Sequence, residues 1–365
     1  MAAKRFNASV FIFVFLFGTQ AAILEALKLF DAPLAPVFIF GDSTFDVGTN
    51  NFLLVRQDIK ANFPYYGIDY PYADPTGRFS NGYNTADQIV RLLGYRRSPP
   101  AFFSLVNHTS SFKKKILQGV NFASGGSGIL DNTGSEFNNT MSLGNQIKLF
   151  ETVHSNIAEL RGPEETATML SKSLFLISVG SNDIFDYLRY NIGSTSWPEF
   201  LTAMQSTYSN HLKSLYDLGA RKFGIISVPP IGCCPLQRTA NATGGCFEVA
   251  NEFARSFYIA TEALLKQMSL ELPGMIYSLG NLYEMTMIVI EEQYAFGIKN
   301  IEKPCCGDAL VQCNQNASLC PNRDEYLFWD WVHPTQLASK LAALSLYGGS
   351  TRFVTPMNFS RLAEV

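Results

Sequence analysis

Short apolar runs of strand-forming residues punctuate the chain at 36–39, 120–123, 173–179, 222–228 and 275–279, and the third is the clearest of them. Continuous apolar runs bounded by turn residues suit strands buried on both faces. Between them, apolar residues recur at helical spacing. Ile147, Phe150, Val153, Ile157 and Leu160 mark a helix over 143–160. Leu201, Met204, Tyr208, Leu212 and Leu215 mark another over 197–218, with Pro198 at its start. Helices are also predicted over 85–93 (Asn84 or Thr85 as cap, Gly94 as stop), 247–270, and 336–346 before Gly348-Gly349. Strand and helix in alternation predict one α/β domain whose mostly parallel sheet is covered on both faces. No linker, repeat or low-complexity tract interrupts the pattern.

The N-terminus breaks it. Lys4 and Arg5 precede an almost purely apolar stretch from Val10 to Phe17, and the small residues Thr19 and Ala21 suit cleavage. Residues 1–21 therefore read as a secretory signal and 22–365 as the mature domain, with a signal anchor as the alternative. The stretch is too short to span a bilayer, and no later run reaches about 18 consecutive apolar residues. No stable membrane insertion is expected after cleavage, and the expected destination is extracellular, the cell wall or apoplast.

Composition narrows the picture. Hydrophobic residues are 47% and charged residues 16% of the 365, a globular balance. A net charge of −3 argues against a nucleic-acid partner, and Lys113-Lys114-Lys115 reads as a solvated face. Glycosylation sequons stand at Asn107, Asn138, Asn241, Asn316 and Asn358, which would be surface sites on an exported chain. All seven cysteines (233, 234, 246, 305, 306, 313 and 320) lie after residue 232, where oxidation would give up to three disulfides and one spare thiol. A zinc site is the poorer reading, because the chain has four histidines and lacks the C-x₂-C pairs of common zinc sites. No metal or other cofactor is expected.

Candidate chemistry gathers where strands end. The first run ends in Phe40-Gly41-Asp42-Ser43, a sharp turn that puts Ser43 at the C-terminal edge of the sheet, where open α/β sheets place ligands. If a helix begins at Thr44, its free N–H groups favour a developing negative charge, and Ser43 as a plain helix cap is the alternative. The second run leads into Ser124-Gly125-Gly126-Ser127-Gly128, small enough for close backbone approach to a ligand or simply a flexible turn. The third leads into Gly180-Ser181-Asn182-Asp183. Near the C-terminus, Asp330 precedes His333 by three residues, and Pro334 keeps His333 out of helical geometry. One tight turn brings the carboxylate to the imidazole, for catalysis or for a structural hydrogen bond. His154 and His211 read as helix residues without a catalytic part. Together, a serine, a histidine paired with a carboxylate, a glycine N–H and an asparagine amide at one sheet edge form the inventory for acyl transfer.

The stretches Phe40-Gly41-Asp42-Ser43, 77–82, 121–128, 179–183, Pro229-Pro230-Ile231-Gly232-Cys233 and 330–335 resemble, in order, those of the GDSL esterase/lipase family. That family lies within the SGNH hydrolase superfamily, and the likeness is to its secreted plant branch across nearly all of the mature chain. The G-x-S-x-G elbow of α/β-hydrolases does not occur around Ser43. The resemblance implies a flavodoxin-like three-layer αβα sandwich on a five-stranded parallel sheet. It also implies Ser43 as nucleophile and oxyanion donor, Gly126 and Asn182 as further donors, His333 as base and Asp330 as its orienter. Asp42 is expected only to fix the turn. The family usually carries one cysteine after Pro-Pro-Ile-Gly, which implies Cys234 as the unpaired thiol, a Cys233–Cys246 bridge, and two bridges among 305, 306, 313 and 320. The function implied is a secreted serine ester hydrolase acting on a small-molecule, lipid or polymer carboxylic ester. Transfer of the acyl group to another alcohol in cuticle or wall polyester, or a binding scaffold with idle machinery, are the alternatives.

Overall fold

Every residue of Val37–Gly41 is buried, and this strand, β1, is where the sheet changes direction. In the computed structural model, which describes residues 34–106 and 109–365, β1 pairs in parallel with β2 (Gly119–Asn121) on one side and β3 (Leu174–Ser178) on the other. β4 (Lys222–Ile226) and β5 (Ile276–Gly280) continue the parallel sheet outward from β3. The order β2-β1-β3-β4-β5 is the flavodoxin-like one, whose switch point lies beside β1. A two-residue strand, Val354–Thr355, adds an antiparallel edge to β5. Asn300–Pro304 and Tyr326–Phe328 form a separate small pair. The predicted signal at 1–21 and the sequon at Asn107 lie outside the described residues.

Period-two alternation in the strands builds the layers. Phe38, Phe40, Phe175 and Phe223 face the helices Leu143–Arg161, Trp197–Asp217 and Glu248–Glu271. Val37, Ile39, Leu174 and Leu176 face the other way, onto the helices Thr85–Leu92, Gln336–Gly348 and Phe359–Glu364. Rings dominate the first layer: Phe150 meets Phe38 at 5.0 Å and Phe175 at 5.4 Å, each edge to face. Truncating such a ring costs about 3–5 kcal/mol, so this layer fixes the strand ends firmly.

The predicted strands and long helices recur with ends moved by a residue or two. The conditional helix at Thr44 does not form: the chain makes a turn, and the first helical residues are the 3₁₀ turn Thr49–Phe52. The helix Leu282–Glu291 escapes a periodicity reading because Leu, Met, Ile and Val occupy most of its surface and leave only a narrow polar stripe at Glu284 and Glu291.

Candidate active site

The corner after β1 is set by packing and one side chain. Gly41 has φ 138°, and a Cβ there would lie 2.0 Å from the carbonyl oxygen of Ser178, so only glycine fits against β3. The Asp42 N–H donates to that same oxygen at 3.0 Å. Asp42 Oδ1 accepts from the Thr44 N–H at 2.9 Å and the Thr44 hydroxyl at 2.7 Å, the turn-fixing role expected of it. Burial raises its carboxyl above the ordinary range, and the two Thr44 hydrogen bonds oppose that.

Ser43 emerges from this turn with its Oγ 2.7 Å from His333 Nε2. The other ring nitrogen, Nδ1, lies 2.8 Å from Asp330 Oδ2 and 2.9 Å from Oδ1. With Nδ1–H given to the carboxylate, Nε2 is left as the acceptor for the serine O–H. Asp330 is fully buried and also accepts from the Tyr66 hydroxyl at 2.7 Å and the N–H groups of Val332 (3.0 Å) and His333 (2.8 Å). Burial alone would raise its carboxyl; electrostatic attraction to His333 and the hydrogen bonds from His333 and the Val332 N–H outweigh it and hold the group below the usual range. The Phe79 ring lies against the imidazole, centroids 4.9 Å apart. His333 sits on the loop before Thr335, which caps the helix Gln336–Gly348 by accepting from the Ala338 N–H at 3.2 Å.

Gly126 follows β2 with φ 82°, and a Cβ there would press on Thr140 at 3.0 Å and Phe137 at 3.2 Å. Asn182 follows β3 and donates one amide hydrogen to the Ser127 carbonyl at 2.8 Å, which leaves the second for another acceptor. The backbone N–H groups of Ser43 and Gly126 donate to no acceptor among the described residues. Asn182, Ser43 and His333 line one cavity. His154 and His211 stay apart on their helices: burial depresses both, and His211 Nε2 meets the Ile129 carbonyl at 3.1 Å.

Sequence reasoning missed the residues that hold these groups in place. Gln146 is fully buried; its Oε1 accepts from the Gly41 N–H at 2.9 Å, and its Nε2 faces Gly41 O (2.8 Å), Ser127 Oγ (2.8 Å) and Met141 O (3.0 Å). The Asp183 carboxylate accepts from Ile129 N–H, Leu130 N–H and the Thr133 hydroxyl at 2.7–3.0 Å, and burial pushes it up to about 6 against those bonds. One signal was readable: Gln146 stands four residues before Phe150, a polar residue on the apolar stripe of its helix.

The cysteines pair as Cys233–Cys246, Cys305–Cys320 and Cys306–Cys313. Cys234 is free and buried, its thiol pushed up to about 12 by desolvation. Of the sequons, Asn138 and Asn316 are exposed. Asn241 and Asn358 are half-buried with their amides engaged: Asn241 donates to Cys246 O at 3.0 Å, and Asn358 accepts from the Arg361 N–H at 3.0 Å.

The profile of the GDSL-like Lipase/Acylhydrolase family matches residues 37–346. A GDSL esterase/lipase of Arabidopsis thaliana is 35% identical over 350 residues, covering 91% of this chain and 88% of the relative. A second from the same plant is 36% identical over 357 residues, covering 94% and 93%. Among solved structures, a catalytic mutant of an acetylxylan esterase from Geobacillus stearothermophilus aligns over 86% of this chain and 94% of its own, at 10% identity and a TM-score of 0.38.

Proposed function

Because this chain belongs to the GDSL-like lipase/acylhydrolase family and is a serine ester hydrolase, we propose that it cleaves carboxylic esters through an acyl-enzyme on Ser43. The observation that carries this reading is the unbroken hydrogen-bonded line from Asp330 through His333 to Ser43 Oγ. Serine at its free pKa is a poor nucleophile; here Nε2 takes its proton as Oγ attacks the ester carbonyl carbon. The carbonyl oxygen becomes an oxyanion among the N–H groups of Ser43 and Gly126 and the Asn182 amide. His333 then gives its proton to the leaving alcohol, and the C–O bond to that alcohol breaks. Water repeats the sequence on the acyl-enzyme, with His333 again as base, and releases the acid and free Ser43. Buried Asp330 stabilises the imidazolium that forms twice per cycle and stays ionised throughout.

Export belongs to the same proposal. The signal-like segment at 1–21, the three disulfides and the exposed Asn138 and Asn316 support an enzyme working outside the cell and glycosylated on its way there. Among the described residues no helix is long and apolar enough to cross a membrane. No observation favours acyl transfer to a second alcohol or an idle scaffold over hydrolysis.

Ser43→Ala tests the central claim. Turnover of p-nitrophenyl acetate should vanish while the circular dichroism spectrum stays that of the wild type. Retained turnover in the folded variant rejects Ser43 as the nucleophile.

A further inference from the structure

Beside Ser43 and His333 opens a cavity of about 440 Å³, and two helices wall it lengthwise. The helix Gln336–Gly348 lines it with Ala338, Leu341, Ala342 and Ser345, positions that recur on one face. Seven residues at 1.5 Å each carry the lining about 10 Å along that helix, well beyond the reach of an acetyl group. The helix Leu282–Glu291 lines the cavity over a similar length, from Leu282 through Met285 to Val289. A helix apolar over most of its surface, with only the charged Glu284 and Glu291 on one narrow polar stripe, belongs largely in a protein interior. Yet only Met285 and Val289 of this one are buried, and Leu282 and Ile288, which also line the cavity, are half-exposed. Apolar surface is therefore kept open next to the reacting serine, where packing would ordinarily have closed it.

We propose that this cavity holds the acyl chain of the substrate, which makes the enzyme selective for esters of unbranched, medium- to long-chain carboxylic acids over acetyl esters. The assignment rests on Ser43 as the acylated residue. The acyl side, not the alcohol side, is chosen by the order of events. The alcohol must leave and water must enter between the two half-reactions, so its path has to stay open to solvent. The group that remains bonded to Ser43 throughout is the one that can occupy a walled cavity.

The experiment measures kcat/KM of the purified oxidised protein on p-nitrophenyl acetate, butyrate, octanoate and dodecanoate. Each methylene taken into the cavity should raise kcat/KM by about three- to fourfold until the cavity is filled. Ala342→Phe and Ser345→Phe each place a ring in the cavity from the later turns of the helix Gln336–Gly348. Octanoate and dodecanoate turnover should then fall by about tenfold or more, with acetate within about twofold of wild type. The surviving acetate turnover reports that the variants fold. A third reading needs no variant: free octanoate should inhibit wild-type acetate-ester hydrolysis competitively, and free acetate should not. A flat chain-length profile, an equal loss on acetate and dodecanoate, or equal weakness of the two acids as inhibitors overturns the assignment. Those results leave the esterase reading intact, since that reading fails only if Ser43→Ala still turns over acetate.

Discussion

Asn182 shows what a single residue contributes and how it can be measured. One of its amide hydrogens is spent on Ser127 O, which aims the other, and a donor aimed at an oxyanion acts mainly once charge has developed. Asn182→Ala should therefore lower kcat by about 10²–10³ with KM little changed, as steady-state kinetics on a p-nitrophenyl ester will show. A change confined to KM contradicts the role. At this scale the sequence was informative because chemistry restricts the residue types. An acyl-transfer site needs a hydroxyl, an imidazole, a carboxylate and donors, and Ser43, Gly126 and Asn182 each follow a strand of one parallel sheet. The supporting residues face no such restriction. Tyr66 meets Asp330 across 264 positions and Gln146 meets Gly41 across 105, so nothing local in the sequence names the partner of either, even where a polar residue on an apolar stripe marks Gln146 itself.

Among elements, the helix Leu143–Arg161 does more than cover the sheet. Through Gln146 its first turns join the end of β1, which presents Ser43, to Ser127, whose carbonyl orients Asn182 and whose neighbour is Gly126. One buried amide thus sets the spacing between Ser43 and the proposed oxyanion donors. Gln146→Leu keeps the volume and deletes the bonds, leaving the Gly41 N–H buried without that partner at about 1–3 kcal/mol, while the Gly41 C=O keeps the Ser124 N–H at 3.0 Å. Thermal denaturation should show the lost stability. Well below the lowered Tm, kcat should fall by about tenfold while KM holds, because a misplaced donor weakens the transition state more than the ground state. An unchanged kcat in the folded variant would leave Gln146 a purely structural part. The amphipathic helices were legible from their stripes. The helix Leu282–Glu291 was not: a helix that helps wall an apolar cavity as well as pack on the core keeps only a narrow polar stripe, Glu284 and Glu291, to mark its period.

On the scale of the whole molecule, His333, the proposed base, reaches the sheet edge from outside the sheet. Asp330 and His333 follow the strand Tyr326–Phe328, part of the small second pair, and a disulfide-bonded loop holds that segment. The Cys305 N–H donates to Phe328 O at 3.0 Å and the Cys306 N–H to Trp329 O at 2.8 Å, so the two half-cystines grip the chain just before Asp330. This arrangement was beyond the strand-and-helix pattern, because cross-links and backbone bonds shape the segment rather than any hydrophobic period. Cys305–Cys320 closes a separation of 15 residues, for which chain entropy gives about 3 kcal/mol. The double substitution Cys305→Ala with Cys320→Ala should cost about 2–4 kcal/mol in denaturant unfolding. It should also lower kcat, since the backbone that presents Asp330 and His333 loses its brace. Removing Cys233–Cys246, which closes 13 residues after β4, should cost comparable stability and affect kcat less. Equal losses of kcat from the two deletions would show that the cross-links act on global stability alone. A selective loss from the first would make an oxidising compartment a condition of the chemistry as well as of the fold.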